Sequence, residues 1–283
     1  DHRGIIGISD VWFFKFDING NLIWSKSLGG NSNDIGSSIS ETEDHGTIIS
    51  GSVRSNDMDV SGLHVPPGFP FGSSDIWIVK TDSIGTIQWQ KCFGGSEEDY
   101  GRKIFPTNDS GYISFGESRS DDGDLDSLVQ YAAPWWLVKL DSAGSIQWNT
   151  GMWGIVATPF SMVIQEDGNY LCTGYAYSMQ GVTTCSSIDK GIWVAKVDQS
   201  GNVIWQHCYG GSADETAYDI VNSTNGGFYL ATSTSSNDGD VTGLIGQYNY
   251  WILKCDSNGS ILWEKCFGGN YYDRAACIIN CYD

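Results

Sequence analysis

The chain is poor in proline, methionine and histidine, with 6, 4 and 4 of them in 283 residues, and it carries only 15 basic residues against 34 acidic ones. The formal charge of −19 leaves no basic face to neutralise phosphates and argues against a nucleic-acid partner. It favours high solubility and a cation or cationic partner, or simply a solvated acidic surface. No apolar run approaches the ~18 residues of a membrane-spanning helix, and helical periodicity is missing throughout. The eight cysteines contain no Cys-x-x-Cys pair, which argues against zinc. No signal peptide opens the chain, and Asp1-His2-Arg3 fits the start of a mature or trimmed product.

Glycine is abundant, at 36 residues, and aromatic residues make up 13%. That balance suits many short strands joined by tight turns. One sentence is written five times. Trp12, Trp77, Trp136, Trp193 and Trp251 are each followed twelve residues later by Trp24, Trp89, Trp148, Trp205 and Trp263. Between them, at constant offsets, stand Lys15, Lys80, Lys139, Lys196 and Lys254, then Asp17, Asp82, Asp141, Asp198 and Asp256, then Gly20, Gly85, Gly144, Gly201 and Gly259. In "DIWIVKTDSIGTIQWQKCF" the Asp-x-x-Gly turn joins two strands, because glycine takes the left-handed position of a short hairpin loop. "YGRKIFPT", "NDSG" and "GYISFGES" form a second hairpin. Four antiparallel strands per repeat of roughly 57 to 65 residues make a propeller blade.

The motif resembles the SBBP-type propeller repeat of secreted bacterial proteins, and "DIWIVKTDSIGTIQWQKCFGGSEED" and "GGFYLATSTSSNDGDVTG" are similar to repeats in surface proteins exported by the type IX route of Bacteroidota. The resemblance spans essentially the whole chain and is specific for fold rather than activity. It implies that "YGRKIFPT" is inner strand a, "GYISFGES" strand b, "DIWIVKTD" strand c and "TIQWQKCF" outer strand d. Residues 274–282 then read as a strand a without its b, and residues 4–9 as a strand b without its a. Pairing these ends closes an all-β, five-bladed propeller with four antiparallel strands per blade, a single domain over residues 1–283. The closing blade takes 268–283 plus 1–28, and the others about 29–93, 94–152, 153–209 and 210–267.

In this scheme ten of the twelve tryptophans are blade-to-blade core, including Trp89. The repeated Lys residues and the Asp two positions on suggest ion-pair ladders or turn caps. Asp34, Asp99, Glu215 and Asp273 read as carboxylates that satisfy loop N–H groups. Cys92, Cys208 and Cys266 share one repeat position and read as small core residues; Cys172–Cys185 and Cys277–Cys281 are conceivable disulfides.

Function is expected where the copies differ. The b–c loops, residues 54–74, 118–133, 176–190 and 234–249, are long and variable and share a face with the d–a turns. Three carry paired carboxylates: Asp57 with Asp59, Asp122 with Asp124, and Asp238 with Asp240. Such hard oxygens suit Ca2+, although no EF-hand loop is present; the other reading is a solvated Asx-rich turn. The third repeat replaces its polar Gly turn with "GMWGIVAT". Met152 and Trp153, with Tyr131, Pro134 and Trp135 before them and Tyr175 and Tyr177 after, form a candidate aromatic cluster on the loop face. It would stack on a sugar, bury part of a protein, or plug the space under the loops.

Among the inner strands only Asp219 and Glu41 are carboxylates, and Asp219 with Lys103 and Arg102 is a thin basis for a glycosidase. The expected function is therefore a non-catalytic binding or adhesion module, secreted or at the cell surface. Its partner would be a carbohydrate or an extracellular protein. A structural block of an extracellular assembly is the first alternative, and a glycoside hydrolase the second.

Overall fold

Alternating β-branched and aromatic runs between turn signals form eighteen strands in the computed structural model, which describes residues 7–64, 73–128, 135–151, 157–177, 190–224 and 226–281. They are β1 (Val11–Phe16), β2 (Leu22–Leu28), β3 (Asp34–Glu41), β4 (Thr47–Val53), β5 (Asp75–Thr81), β6 (Ile87–Phe93), β7 (Asp99–Pro106), β8 (Tyr112–Ser118) and β9 (Trp136–Leu140). There follow β10 (Ile146–Gly151), β11 (Ala157–Ile164), β12 (Tyr170–Tyr177), β13 (Lys190–Val197), β14 (Val203–Tyr209), β15 (Glu215–Asn222), β16 (Phe228–Thr234), β17 (Asn249–Cys255) and β18 (Ile261–Phe267). One 3-10 turn, Gly123–Leu128, is the only helical segment among the described residues. The protein is all-β.

β3–β6, β7–β10, β11–β14 and β15–β18 each form a four-stranded antiparallel sheet in chain order, the a-b-c-d order of a propeller blade. β1 and β2 form a two-stranded sheet corresponding to c and d. The chain divides into two compact units, residues 1–151 with β1–β10 and residues 152–283 with β11–β18.

The Asp-x-x-Gly turn works the same way five times. One oxygen of Asp17, Asp82, Asp141, Asp198 or Asp256 accepts the backbone N–H groups two and four residues on, at 2.8–3.0 Å. The glycine that follows has φ between 75° and 86°, a conformation costly for any residue with a Cβ. These aspartates therefore cap their own turns. The repeated lysines instead reach the a–b turn of the same blade: Lys80 to Asp44 and Lys139 to Asp109 at 2.8 Å, and Lys196 to Asp167 at 2.7 Å.

Tryptophan packing links blade to blade within each unit. Trp77 lies in a core with Val11, Phe13 and Leu28 of the preceding sheet, and Trp136 with Ile76, Ile78 and Phe93. Trp251 packs likewise against Ile192, Val194 and Tyr209. Trp24 and Trp89, the second tryptophans of the first two repeats, are only half-buried and lie over the next blade's hairpin turn. The Nε1–H groups of Trp24 and Trp89 donate to the Ser83 and Ser142 carbonyls at 3.3 and 3.1 Å. A Cβ on Gly144 would come within 2.8 Å of the Trp89 ring, a second reason for glycine there.

Several expectations are corrected. Trp12 and Trp263 are 59% and 41% exposed rather than core, and β1 pairs only with β2 among the described residues. Residues 7–9 make no strand b; Ser9 forms an isolated parallel bridge with Asn33. Residues 274–281 carry no strand pairing, yet they lie along β15 as an inner strand would. The N–H of Ile278 donates to Asp219 at 3.1 Å and the amide of Asn280 to the Asn222 carbonyl at 2.8 Å. The Asn222 side chain makes the same bond back to Ile164 at 2.7 Å. Residues 1–6, and with them most of the expected end-to-end pairing, lie outside the described residues. Cys208 is disulfide-bonded, not a free core thiol, whereas Cys172, Cys277 and Cys281 are free, so neither conceived disulfide forms.

Trp77→Ala should destabilise the protein by ~3–5 kcal/mol in urea unfolding, and Trp89→Ala by distinctly less, since its ring keeps one face in water. Acid should expose the Lys–Asp pairs. Against the upward push of burial, Lys139, Thr107 and the Gly111 N–H draw Asp109 down to about 2. This depressed value contributes stability above the ordinary 3.8 that is lost as pH falls through about 2. Lys139→Met should flatten that part of the stability–pH curve.

Candidate functional site

The long-loop face begins with a clamp. At the start of β3, β7 and β15, and of the inner segment after β18, one carboxylate accepts the N–H of the second glycine of the d–a Gly-Gly turn, whereas β11 starts at Ala157 with no such acid. Asp34 takes Gly30 at 2.7 Å, Asp99 takes Gly95 at 2.9 Å, Glu215 takes Gly211 at 3.1 Å and Asp273 takes Gly269 at 2.7 Å. The b–c loop adds a Ser-x-Asp-x-Asp lock. Ser120 donates to Asp99, Asp122 accepts the Ser96 N–H and Asp124 the Gly94 N–H, at 2.9, 2.6 and 3.1 Å. Asp57 and Asp59 hold Asn31 and Gly29 likewise, at 2.9 and 3.3 Å, and Asp238 and Asp240 hold Ser212 and Gly210, at 2.8 and 3.1 Å. The six loop carboxylates proposed for calcium thus face N–H donors in three separate turns. Among the described residues no group of three or more His, Cys, Asp or Glu is arranged to hold a metal ion. Their arrangement fits loop clamps.

His64 ties a further loop to the same junction. Its ring Nδ1 lies 2.7 Å and its backbone N–H 2.9 Å from Asp75 Oδ2, with Nε2 3.9 Å from Asp124. The Asp75 hydrogen bond raises the His64 pKa, and burial raises that of Asp75.

Above the clamp, every inner strand of a four-stranded blade bulges at the same step. The a–b pairing skips Ser37 in β3, Arg102 in β7, Phe160 in β11 and Tyr218 in β15. A bulge adds one residue to one strand and re-aims its side chain. Backbone geometry repeats here while chemistry does not: hydroxyl, guanidinium and two aromatic rings occupy one structural position.

In the first unit the bulges flank a cavity of ≈530 Å3 lined by Asn33, Ser37, Ser52, Arg54, Tyr100 and Arg102 among others. Arg54 grips both oxygens of Glu98 at 2.6 and 2.8 Å, and that carboxylate also accepts from Tyr100 at 2.6 Å and Ser74 at 2.7 Å. In the second unit Phe160 lies 5.8 Å from Tyr175 and 6.0 Å from Tyr218, ring to ring, and the Thr158 hydroxyl donates to Tyr175 at 2.9 Å.

The expected aromatic cluster fares unevenly. Trp135 is 1% exposed and packs edge-on against Phe115 at 5.1 Å, so it is core and not a loop-face residue. Tyr175 is half-buried beside Phe160, a partner not foreseen. Tyr131, Pro134, Met152 and Trp153 lie outside the described residues, as does the Tyr177 side chain. Asp219 accepts from Ser161 at 2.7 Å and from the Ile278 N–H, a role between inner strands. Glu41 is exposed and bonds His45 at 3.2 Å. The bulge residues were missed because a bulge is a mismatch between two strands and leaves no mark in one. A usable signal was the variable residue three after the strand-a acids Asp34, Asp99 and Glu215; β11 has Ala157 in that place.

Fold and site together define a protein of propeller-type blades with a variable residue displayed on each bulged inner strand. No family model matches the chain. It is 30% identical over 118 residues to the regulatory protein FlaEY of Caulobacter vibrioides, a stretch that is 41% of this chain and 12% of that protein. Among solved structures it is similar to a protein of unknown function from Bacteroides caccae, with 14% identity, TM-score 0.43, and 97% of this chain and 96% of that one covered. It is also similar to a putative exo-beta-1,3-galactanase from Bifidobacterium bifidum, with 12% identity, TM-score 0.42 and coverage of 92% and 76%. A Synechocystis apocarotenoid oxygenase variant matches at 13% identity, TM-score 0.47 and coverage of 90% and 55%.

Burial pushes Asp99 up to about 6, against the pull of Ser118, the Gly95 N–H and Ser120. A folded pKa above the ordinary 3.8 means stability that is present below that value and lost as pH rises through about 6. Carboxyl-carbon NMR should show Asp99 titrating near 6, and Ser118→Ala should move it higher still. Titration near the ordinary value would remove the buried clamp from this account.

Proposed function

We propose that this chain is a non-catalytic binding module of a secreted or cell-surface protein, taking a carbohydrate on the face where the long b–c loops and d–a turns emerge. The observation that carries this reading is the repeated bulge, which presents Ser37, Arg102, Phe160 and Tyr218 from the same backbone step. A constant scaffold with varied side chains is how loop-bearing folds display a recognition surface. Aromatic rings beside hydroxyls suit sugar rings, which offer apolar faces and polar edges. Resemblance of the repeat to SBBP-type and type IX-exported surface proteins supports the extracellular setting.

A second reading, a structural block of an extracellular assembly, is favoured by one specific feature. β1 pairs only with β2 among the described residues, and Trp12, Phe14 and Phe16 on it are 59%, 46% and 51% exposed. Unpaired edges and apolar faces invite association.

A glycan array probed with calcium and again with chelator tests the first reading. A saccharide hit that survives chelator and falls at least ~10-fold in Tyr218→Ala, one lost ring stack being worth about 1.4 kcal/mol or more, is expected. A blank array in both conditions would leave a protein partner or the assembly role. Loss of the hit in chelator would return the loop carboxylates to calcium.

A further inference from the structure

Three of the chain's five arginines, in a protein of net charge −19, gather at one place in the first unit. Arg54 is committed to Glu98, its Nη2 donating to both carboxylate oxygens. Arg102 and Arg119 share the single carboxylate of Glu117, at 3.6 and 3.3 Å. The Arg102 contact is longer than a hydrogen bond, and its buried Nε–H has no acceptor. The guanidinium is kept in place by charge and by the Tyr100 ring, 5.9 Å from its carbon, so most of its five donors are unmatched. The β7 bulge aims this group at the ≈530 Å3 cavity, a size within the range of small-molecule sites.

The same cavity is lined by Ser37, the bulged residue of β3, by Ser52 on β4 and by Asn33. Ile35 supplies the one large aliphatic surface. The lining thus offers a fixed cation and hydroxyls beside the apolar surfaces of Ile35 and the Tyr100 ring. Planar guanidinium matches carboxylate through two parallel hydrogen bonds, and hydroxyls match a polyol ring.

We infer that this cavity is a subsite for an acidic saccharide, with the carboxylate of a uronic-acid residue held by Arg102 and the ring hydroxyls facing Ser37 and Ser52. The inference rests on the carbohydrate reading above and deepens it by naming the substrate class. Arg54 and Glu98 form the wall that orients Tyr100, and they stay paired with each other when the ligand binds.

Calorimetric titration of the whole chain with trigalacturonate and with neutral galactotriose tests it. Trigalacturonate should bind, with affinity falling as salt is raised, and galactotriose should bind at least ~10-fold more weakly, a difference of about 1.4 kcal/mol, because it has no carboxylate to match the guanidinium. Arg102→Gln should remove that preference. Ser37→Trp, which fills the cavity from β3 with the charge intact, should abolish binding even if Arg102→Gln folds poorly. Equal binding of both sugars, or trigalacturonate binding unchanged in both variants, would overturn the assignment while leaving a carbohydrate module in place. Absence of trigalacturonate binding to the wild type overturns it too, and only a blank array as well would overturn the broader reading.

Discussion

A carboxylate turned onto the backbone of a Gly-Gly turn, present at the head of every inner strand but β11, is the contact on which the rest depends. Its glycines cannot be replaced: a Cβ on Gly94 would sit 2.2 Å from Asp99 Oδ2, and one on Gly95 2.2 Å from Asp122. Because the outer strand of one blade ends where the inner strand of the next begins, this one acceptor fixes the step between blades. It also fixes the root of the loop above, since Ser120 and Ser55 donate to the same acids. Burial of such a carboxylate is tolerable only with several donors around it, and Asp99 has three.

Two kinds of repetition serve two purposes. Tryptophan, lysine and Asp-x-x-Gly repeat because apolar burial and turn caps must be satisfied in every blade. The bulges repeat because each inner strand must re-aim one side chain, and there identity is free to change. Stability resides in the constant positions and the proposed recognition in the varied ones. Substituting Arg102 or Tyr218 therefore touches chemistry with little effect on the blade, whereas Trp77 or Gly94 touches the blade itself.

Much of the blade was legible from spacing alone. Five Trp–Trp intervals of twelve residues, with Lys, Asp and Gly between, located one hairpin of each blade; the order a-b-c-d came from the resemblance to SBBP-type repeats and matches the four-stranded sheets. The acids Asp34, Asp99, Glu215 and Asp273 were also read correctly as acceptors for loop N–H groups. The loop carboxylates left two readings open, calcium or an Asx-rich turn, because Ser-x-Asp-x-Asp has hard-oxygen spacing whether its partner is an ion or a backbone N–H. Lys80 was assigned to the aspartate nearest in sequence, yet it reaches Asp44, 36 residues away. Trp135 looked exposed because it stands outside the repeat, but it packs under Phe115.

By itself the sequence determined that the protein is all-β, how its strands are ordered, where its turns cap and which tryptophans repeat, because periodicity and turn chemistry are local properties written residue by residue. Only the tertiary structure decided which carboxylate meets which N–H, that each inner strand bulges, and that Arg102 keeps unmatched donors over a cavity beside Ser37. Those facts belong to pairs of strands and to residues some 65 apart in the chain, and no single stretch of a chain records the register in which it meets another.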